Sequence, residues 1–207
     1  MTSETEQRNE HDQFETLVQG LIDNEYGCCD IFFDINTISG LRDNINLLKE
    51  SASMQAAGIG NKKSLKKDEL YRGDKIKWLS IESIDQYEIL FLKKIGKFVD
   101  HLNKTCFTSI KNFETHYASY EKNSFYKRHL DQFKNDTSRQ YSIILYLNDT
   151  WLSEDGGMLS LYLPENKQKD VLPIGGRMMF FKSAEMEHEV HPSFTRDRIS
   201  IAGWFKN

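Results

Sequence analysis

The chain has 207 residues, 39% of them hydrophobic, and a formal net charge of −4 at pH 7. This length suits one domain with an apolar core. The negative charge provides no attractive field for a phosphate backbone, and no apolar run approaches the roughly 20 residues of a membrane-spanning helix. The N-terminal residues also lack the basic and apolar regions of a secretory signal. We therefore expect a cytoplasmic protein that binds neither nucleic acid nor a membrane.

The first half of the chain has mainly helical patterning. Residues 1–10 are polar and predict a disordered tail. Apolar residues from Phe14 to Ile22 follow helical spacing and predict a first helix, and residues 28–33 predict a short strand. Asp34 is placed to cap a second helix, and a third, longer helix is predicted to begin near Ser83. We expect this helical support to extend over residues 11–105.

One segment of this half has no hydrophobic periodicity. From about residue 51 to residue 75 the sequence is rich in small residues, glycine and lysine. Loops of this length are uncommon in compact domains unless they contribute to function. We therefore predict a mobile functional loop here, and a strand over residues 75–79.

After Cys106 the hydrophobic period changes from 3.6 to 2, which is typical of antiparallel strands separated by turns. Eight strands are predicted, over residues 113–121, 125–130, 140–148, 158–163, 170–172, 177–182, 187–190 and 198–205. Eight such strands suit a jelly roll. We therefore predict an α+β fold in which a double-stranded β-helix, residues 111–207, is supported by N-terminal helices, with residues 11–207 forming a single domain.

Three residues of the predicted barrel could bind one metal ion. His129 and Asp131 are two positions apart, so on an extended strand both side chains would point to the same face. His188 lies on a later predicted strand. Two imidazoles and one carboxylate form a facial triad that suits Fe(II) and leaves three positions open, enough for a bidentate cosubstrate and O2. His191 is a rival ligand, but strand alternation directs it away from the face of His188.

A cosubstrate with a second carboxylate would need a cation deep in the barrel, and arginine offers a fork of donors for it. Arg198 opens the last predicted strand, which we expect to return antiparallel beside the strand of His188. Arg196 is the rival cation, but it lies in the preceding turn and is expected to face solvent. The hydroxyl of Tyr146 could share the carboxylate, although packing in a sheet core is the commoner fate of a tyrosine.

These residues and their order resemble the 2-oxoglutarate- and Fe(II)-dependent dioxygenases, specifically the prolyl 4-hydroxylase group that includes hypoxia-inducible-factor prolyl hydroxylases. The resemblance covers most of the chain. It is carried by RGDKIKW at 72–78, YKRHLD at 126–131, YLN at 146–148, Gly156-Gly157 with Leu161-Tyr162, HEVHP at 188–192, and Arg198 with Gly203-Trp204. The resemblance implies that His129, Asp131 and His188 bind Fe(II), and that Arg198 and Tyr146 hold the distal carboxylate of 2-oxoglutarate.

Further roles follow from the resemblance alone. Tyr120 would face the cosubstrate and the substrate. The RGDKIKW segment would end a loop that folds over the substrate, which makes Arg72 and Asp74 candidate substrate contacts and places Trp78 in the core. The predicted loop over residues 51–75 would then be the substrate loop.

The implied activity is hydroxylation of a prolyl residue in a protein or peptide. The reaction would use Fe(II), 2-oxoglutarate and O2, form succinate and CO2, and be supported by ascorbate as the reductant that maintains the iron. Two alternatives stay open. One is the same chemistry on a free amino acid or another small molecule, and the other is a cupin-like metal-binding module without catalysis.

Overall fold

The computed structural model describes residues 4–58, 72–133 and 135–207. Its first half contains α1 Glu4–Asn24, β1 Tyr26–Cys29, α2 Ile35–Glu50, β2 Gln55–Ala56, β3 Asp74–Trp78 and α3 Gln86–Thr105. Its second half contains β4 Asn112–Tyr120, β5 Tyr126–His129, β6 Arg139–Tyr146, β7 Leu159–Leu163, β8 Lys167–Val171, β9 Met178–Lys182, β10 Glu187–Val190 and β11 Arg198–Lys206. Each of the eight strands predicted after Cys106 overlaps one of β4 to β11.

The strands form two antiparallel sheets. The larger sheet has the order β1-β9-β6-β11-β4-β3-β2, and the smaller has the order β5-β10-β7-β8. Tyr146 and Phe181 of the larger sheet share a buried cluster with Leu161 and Val190 of the smaller sheet, so the two sheets pack face to face. The predicted α+β double-stranded β-helix is therefore confirmed.

The helices cover the other face of the larger sheet. Phe98 of α3 lies with its ring centroid 5.0 Å from Phe14 of α1, 5.1 Å from Phe180 of β9 and 5.8 Å from Phe205 of β11. Burying one such phenylalanine stabilises the fold by roughly 1.5–3 kcal/mol. Asp34 caps α2 as predicted, because its carboxylate accepts a hydrogen bond of 2.9 Å from the Thr37 amide.

Two predicted boundaries differ from the structure. Helix α1 begins at Glu4, within the segment predicted to be disordered. Glutamate, glutamine and arginine are strong helix formers, and Glu10 also forms an ion pair of 2.7 Å with Lys97 of α3. The strand predicted over residues 28–33 is shorter and starts earlier, at Tyr26, because residues 30–33 form the turn into α2. The limits of the single domain stay a prediction.

The predicted loop over residues 51–75 falls partly on residues 59–71, which lie outside the described residues. On its described side, Gln55 and Ala56 pair with Ile76 and Lys75 of β3, so this part is an edge strand that the sequence did not predict. Within the described residues, no helix combines the length and apolar character needed to cross a bilayer.

Candidate active site

His129 and His188 are cross-strand neighbours in the smaller sheet. Strand β5 pairs with β10 so that the two residues are opposite each other, with ring centroids 4.2 Å apart. Oxygens of the Asp131 carboxylate lie 3.6 Å from His129 Nε2 and 3.7 Å from His188 Nε2. Asp131 is not on extended backbone as expected, because β5 ends at His129 and Asp131 occupies the following bend. The potential ligand atoms still lie within 4.8 Å of one another, so one ion can contact all three.

Backbone carbonyls fix the orientation of both imidazoles. His129 Nδ1 lies 2.7 Å from the Lys127 carbonyl oxygen, and His188 Nδ1 lies 3.0 Å from that of Met186. Because a carbonyl can only accept, each Nδ1 carries the hydrogen and each Nε2 keeps a lone pair for a metal. Burial lowers the pKa of His188 to about 4 against the attraction of Asp131, so His188 is a neutral ligand at physiological pH.

Two serines hold the Asp131 carboxylate. The Ser142 hydroxyl donates a hydrogen bond of 2.7 Å to Oδ2 of Asp131. The Ser183 hydroxyl oxygen lies 2.8 Å from that of Ser142 and is the donor of the hydrogen bond between the two serines. Burial alone would favour the neutral acid, but His188, together with His129 and Ser142, holds the pKa of Asp131 well below its usual range. The group therefore presents an ionised carboxylate beside the neutral imidazole of His188. Sequence reasoning missed the role of Ser142, although a serine within an apolar strand was a visible signal.

Arg198 is a cation with 1% of its surface exposed. Its Nε donates to the Gly157 carbonyl at 3.0 Å, whereas Nη2 is buried and has no hydrogen-bond partner among the described residues. The buried hydroxyl of Tyr146 likewise has no partner in the described part of the chain. The guanidinium carbon lies 5.0 Å from the centre of the Tyr146 ring and 5.1 Å from that of the Tyr120 ring. Buried donors without acceptors and a buried cation without a counter-ion both carry a large desolvation penalty. An anionic ligand bound to Arg198 Nη2 and the Tyr146 hydroxyl would reduce this penalty.

The strand of Arg198 does not lie beside the strand of His188, contrary to expectation. Strand β11 lies between β6 and β4 in the larger sheet, whereas β10 lies between β5 and β7 in the smaller sheet. The chain crosses between the sheets over residues 191–197, so Arg198 and His188 approach the interior from opposite sheets.

Both rival residues lie elsewhere. Arg196 donates a hydrogen bond of 2.7 Å to Asp155, and its guanidinium carbon lies 4.7 Å from the centre of the Trp151 ring. It is thus held against a loop rather than directed only to solvent. His191 Nε2 lies 2.7 Å from the Ser160 hydroxyl and does not belong to the triad.

The triad and Arg198 line one cavity of about 770 Å³ between the sheets. Cavities of roughly 300–1,000 Å³ are typical of small-molecule sites. Its outer part is lined by Trp78, His116 and Trp204, with the His116 ring 5.0 Å from Trp78 and 5.2 Å from Trp204.

Trp78 is 47% exposed, so the prediction that it lies in the core was wrong. It stands at the end of edge-proximal strand β3, where packing covers only one side of its ring.

The residues predicted to contact substrate form a buried ion pair. The Arg72 guanidinium donates to both carboxylate oxygens of Asp74, at 2.7 and 2.6 Å. Its carbon also lies 4.2 Å from the centre of the Tyr126 ring, and that ring stacks on His129 at 3.5 Å. Arg72 lines the cavity, whereas Asp74 is 2% exposed and lies behind it.

The model of the 2OG-Fe(II) oxygenase superfamily matches residues 115–206, a range that contains the triad and Arg198. The matched region is similar to the 2OG-Fe(II) oxygenase superfamily, and together with the fold and the converging triad this match supports a dioxygenase. Members of this superfamily use Fe(II), 2-oxoglutarate and O2.

Among solved structures, the chain is similar to prolyl hydroxylases in particular. A prolyl-4-hydroxylase from Pseudomonas putida is 29% identical, with 94% of this chain and 98% of that chain covered and a TM-score of 0.85. A Trichoplax adhaerens prolyl hydroxylase, in complex with a hypoxia inducible factor oxygen degradation domain peptide fragment, is 25% identical. The comparison covers 100% of this chain and 94% of that one, with a TM-score of 0.85.

A viral collagen prolyl hydroxylase from Paramecium Bursaria Chlorella virus-1 shares the fold at 16% identity, with 88% and 96% of the two chains covered and a TM-score of 0.61. The predicted resemblance to prolyl 4-hydroxylases is thus confirmed.

Proposed function

We propose that this dioxygenase hydroxylates a prolyl residue in a protein or peptide and forms succinate and CO2. The observation that carries the proposal is the arrangement of one cavity with a two-histidine, one-carboxylate triad on one sheet and a buried arginine on the other. The similar Trichoplax adhaerens enzyme carries a peptide in its structure, which supports a peptide substrate here.

The donor set fits Fe(II), and we assign His129, Asp131 and His188 as its ligands. Two imidazoles and one ionised carboxylate match a facial triad with open positions. Held by these residues, iron with 2-oxoglutarate would supply the electrons that activate O2 for oxidation of the substrate. The contribution of the chain is to hold its ligands, since Ser142 fixes the carboxylate of Asp131 and two backbone carbonyls fix the imidazoles.

The unpartnered donors fit the distal carboxylate of 2-oxoglutarate. We assign Arg198 Nη2 and the Tyr146 hydroxyl as its donors, because both are buried and neither has a partner within the described ranges of the chain. Hydrogen bonds between an ionised donor and a carboxylate are about twice as strong as neutral ones, and the dry surroundings strengthen them further. Tyr120 lies against the same guanidinium, and we assign it a place facing cosubstrate and substrate.

The outer cavity favours an uncharged ring such as that of proline. Trp78 and Trp204 offer ring faces, and burial lowers the pKa of His116 to about 4, so the His116 ring is uncharged near neutral pH. Charged side chains also line this cavity, and the Arg139 guanidinium lies 3.4 Å from the centre of the Trp204 ring. We propose that Arg72 contacts the substrate while Asp74 holds the Arg72 guanidinium in position. We also propose that ascorbate supports turnover by maintaining reduced iron.

Mass spectrometry of proline-containing peptides tests this function directly. The purified chain is incubated with Fe(II), 2-oxoglutarate, ascorbate and O2, and peptides are examined for one added oxygen atom on proline while succinate is measured. We expect both products with the wild-type chain and neither with His129→Ala. Oxidation of free amino acids but of no peptide would favour a small-molecule substrate, and iron binding without succinate would favour a non-catalytic module.

A further inference from the structure

A second group of metal-ligating side chains lies where α1 packs against α3, outside the cavity. His11 and Glu15 are one turn apart on α1, and His101 reaches them from α3. The Glu15 carboxylate oxygen Oε1 lies 3.9 Å from His11 Nδ1 and 2.8 Å from His101 Nε2. Potential ligand atoms of all three residues lie within 4.8 Å of one another, as do those of the active-site triad.

The two helices hold these side chains in place before any ion binds. Spacing of four residues puts His11 and Glu15 on the same face of α1. The His101 side chain is 12% exposed, and its ring packs 5.5 Å from that of Phe14 and 5.5 Å from that of His11. One ligand is therefore fixed by packing, and the other two come from a single helix turn.

The direction of His101 Nε2 indicates an open coordination position. This nitrogen is buried and makes no hydrogen bond to any residue that the structure describes, although the Glu15 oxygen is only 2.8 Å away. At such a distance a hydrogen bond fails only when the oxygen lies off the axis of the ring N–H. A cation placed on that axis could contact the nitrogen and the carboxylate together. Ligand atoms of a tetrahedral zinc ion are roughly 3.3 Å apart, which falls between the two observed distances.

We propose that His11, Glu15 and His101 bind a Zn(II) ion, or a similar divalent ion that accepts nitrogen ligands, and thereby fasten α1 to α3. Two imidazoles and one carboxylate are an established zinc donor set, with water able to fill the fourth position at the exposed side. Calcium and magnesium are disfavoured because they prefer oxygen ligands only. The nearby Lys97 does not oppose the cation strongly, because it is paired with Glu10 at 2.7 Å.

Zinc titration separates this site from the active site. Because the catalytic triad can also bind zinc, the main test uses the full chain with His129→Ala and Asp131→Ala. We expect one zinc ion per chain by calorimetry, a visible absorption spectrum of four-coordinate Co(II), and a thermal midpoint that rises with zinc. Adding His11→Ala should weaken zinc binding at least roughly tenfold. The metal-free midpoint should stay unchanged, because His11 is exposed.

His191→Ala in the same background is the matched control, since it removes a histidine that lies outside the group. We expect unchanged zinc affinity there. In the chain with an intact triad, two zinc ions should bind, and His11→Ala should reduce this to one. The proposal is overturned if the background variant binds no zinc while folded, or if His11→Ala leaves zinc affinity or stoichiometry unchanged.

Discussion

Replacing Tyr146 by phenylalanine removes a single hydroxyl from the end of the cavity where Arg198 lies. That hydroxyl is buried and makes no hydrogen bond to any described residue. The substitution therefore breaks no bond within the protein and keeps the ring in its packed position. We expect the free energy of unfolding of the ligand-free chain to change by less than about 1 kcal/mol.

The same substitution should weaken 2-oxoglutarate binding substantially. A hydrogen bond to a charged group contributes about 1.5–3 kcal/mol, and each 1.4 kcal/mol is about tenfold in affinity. We therefore expect the dissociation constant of 2-oxoglutarate to rise about 10- to 100-fold. At saturating 2-oxoglutarate, kcat should change much less, because the hydroxyl is assigned to the distal carboxylate.

Succinate formation at varied 2-oxoglutarate concentrations measures this effect, and thermal unfolding measures stability. Tyr141→Phe is the matched control, because Tyr141 lies on the same strand but packs against the helix-side core. Its 2-oxoglutarate affinity should equal that of the wild type. If Tyr146→Phe also retained wild-type affinity, the carboxylate pocket would have to lie elsewhere.

Three further predictions concern the same cavity. Arg198→Lys should weaken equilibrium binding of 2-oxoglutarate at least about tenfold. Lysine lacks the planar group with which arginine donates to the Gly157 carbonyl and to a ligand carboxylate together. Equal affinity would contradict the assignment of Arg198 to the distal carboxylate. Ser142→Ala should lower Fe(II) affinity about 10- to 100-fold, because the 2.7 Å hydrogen bond to Asp131 is lost. The circular dichroism spectrum should stay the same. Unchanged iron affinity would contradict the role of Ser142 in positioning the Asp131 carboxylate. Burial lowers the pKa of His116 from 6.5 to about 4, so the neutral form is favoured on folding and stability falls as pH decreases through that window. Between pH 7 and pH 4.5, wild-type stability in urea unfolding should fall by roughly 2 kcal/mol more than that of His116→Gln, and parallel pH profiles would contradict this.

The strands could be predicted where alternation was strong. Strand β10 was predicted over residues 187–190 and is observed as Glu187–Val190. Strand β8 was predicted over residues 170–172 but spans Lys167–Val171. Its first four residues are exposed, so an edge strand of this kind carries no alternating apolar signal. Hydrophobic alternation therefore predicts strands that have one buried face and misses stretches of strand that are exposed on both faces.

The site could be predicted only in part for a related reason. Spacing indicates which face of a strand a side chain occupies, and it predicted that His129 and Asp131 share one face. The structure brings these two side chains within 3.6 Å of each other, although Asp131 lies in the bend after β5. Spacing does not indicate which of two packed sheets a strand joins. The approach of Arg198 from the larger sheet therefore differed from expectation, and the bond from Ser142 to Asp131 depended on a contact between sheets that no local pattern encodes.

The division of the site between two sheets also explains why its polar groups are left incompletely satisfied. The smaller sheet carries both histidines, and the larger sheet carries Arg198, Tyr146 and Ser142. The apolar cluster between the sheets sets the separation of these two groups, so neither group can move to neutralise the other. An unpaired guanidinium nitrogen and a buried hydroxyl are then retained despite their desolvation penalty. On the proposed assignment, a dianionic ligand that also chelates a metal would span this gap and satisfy both groups.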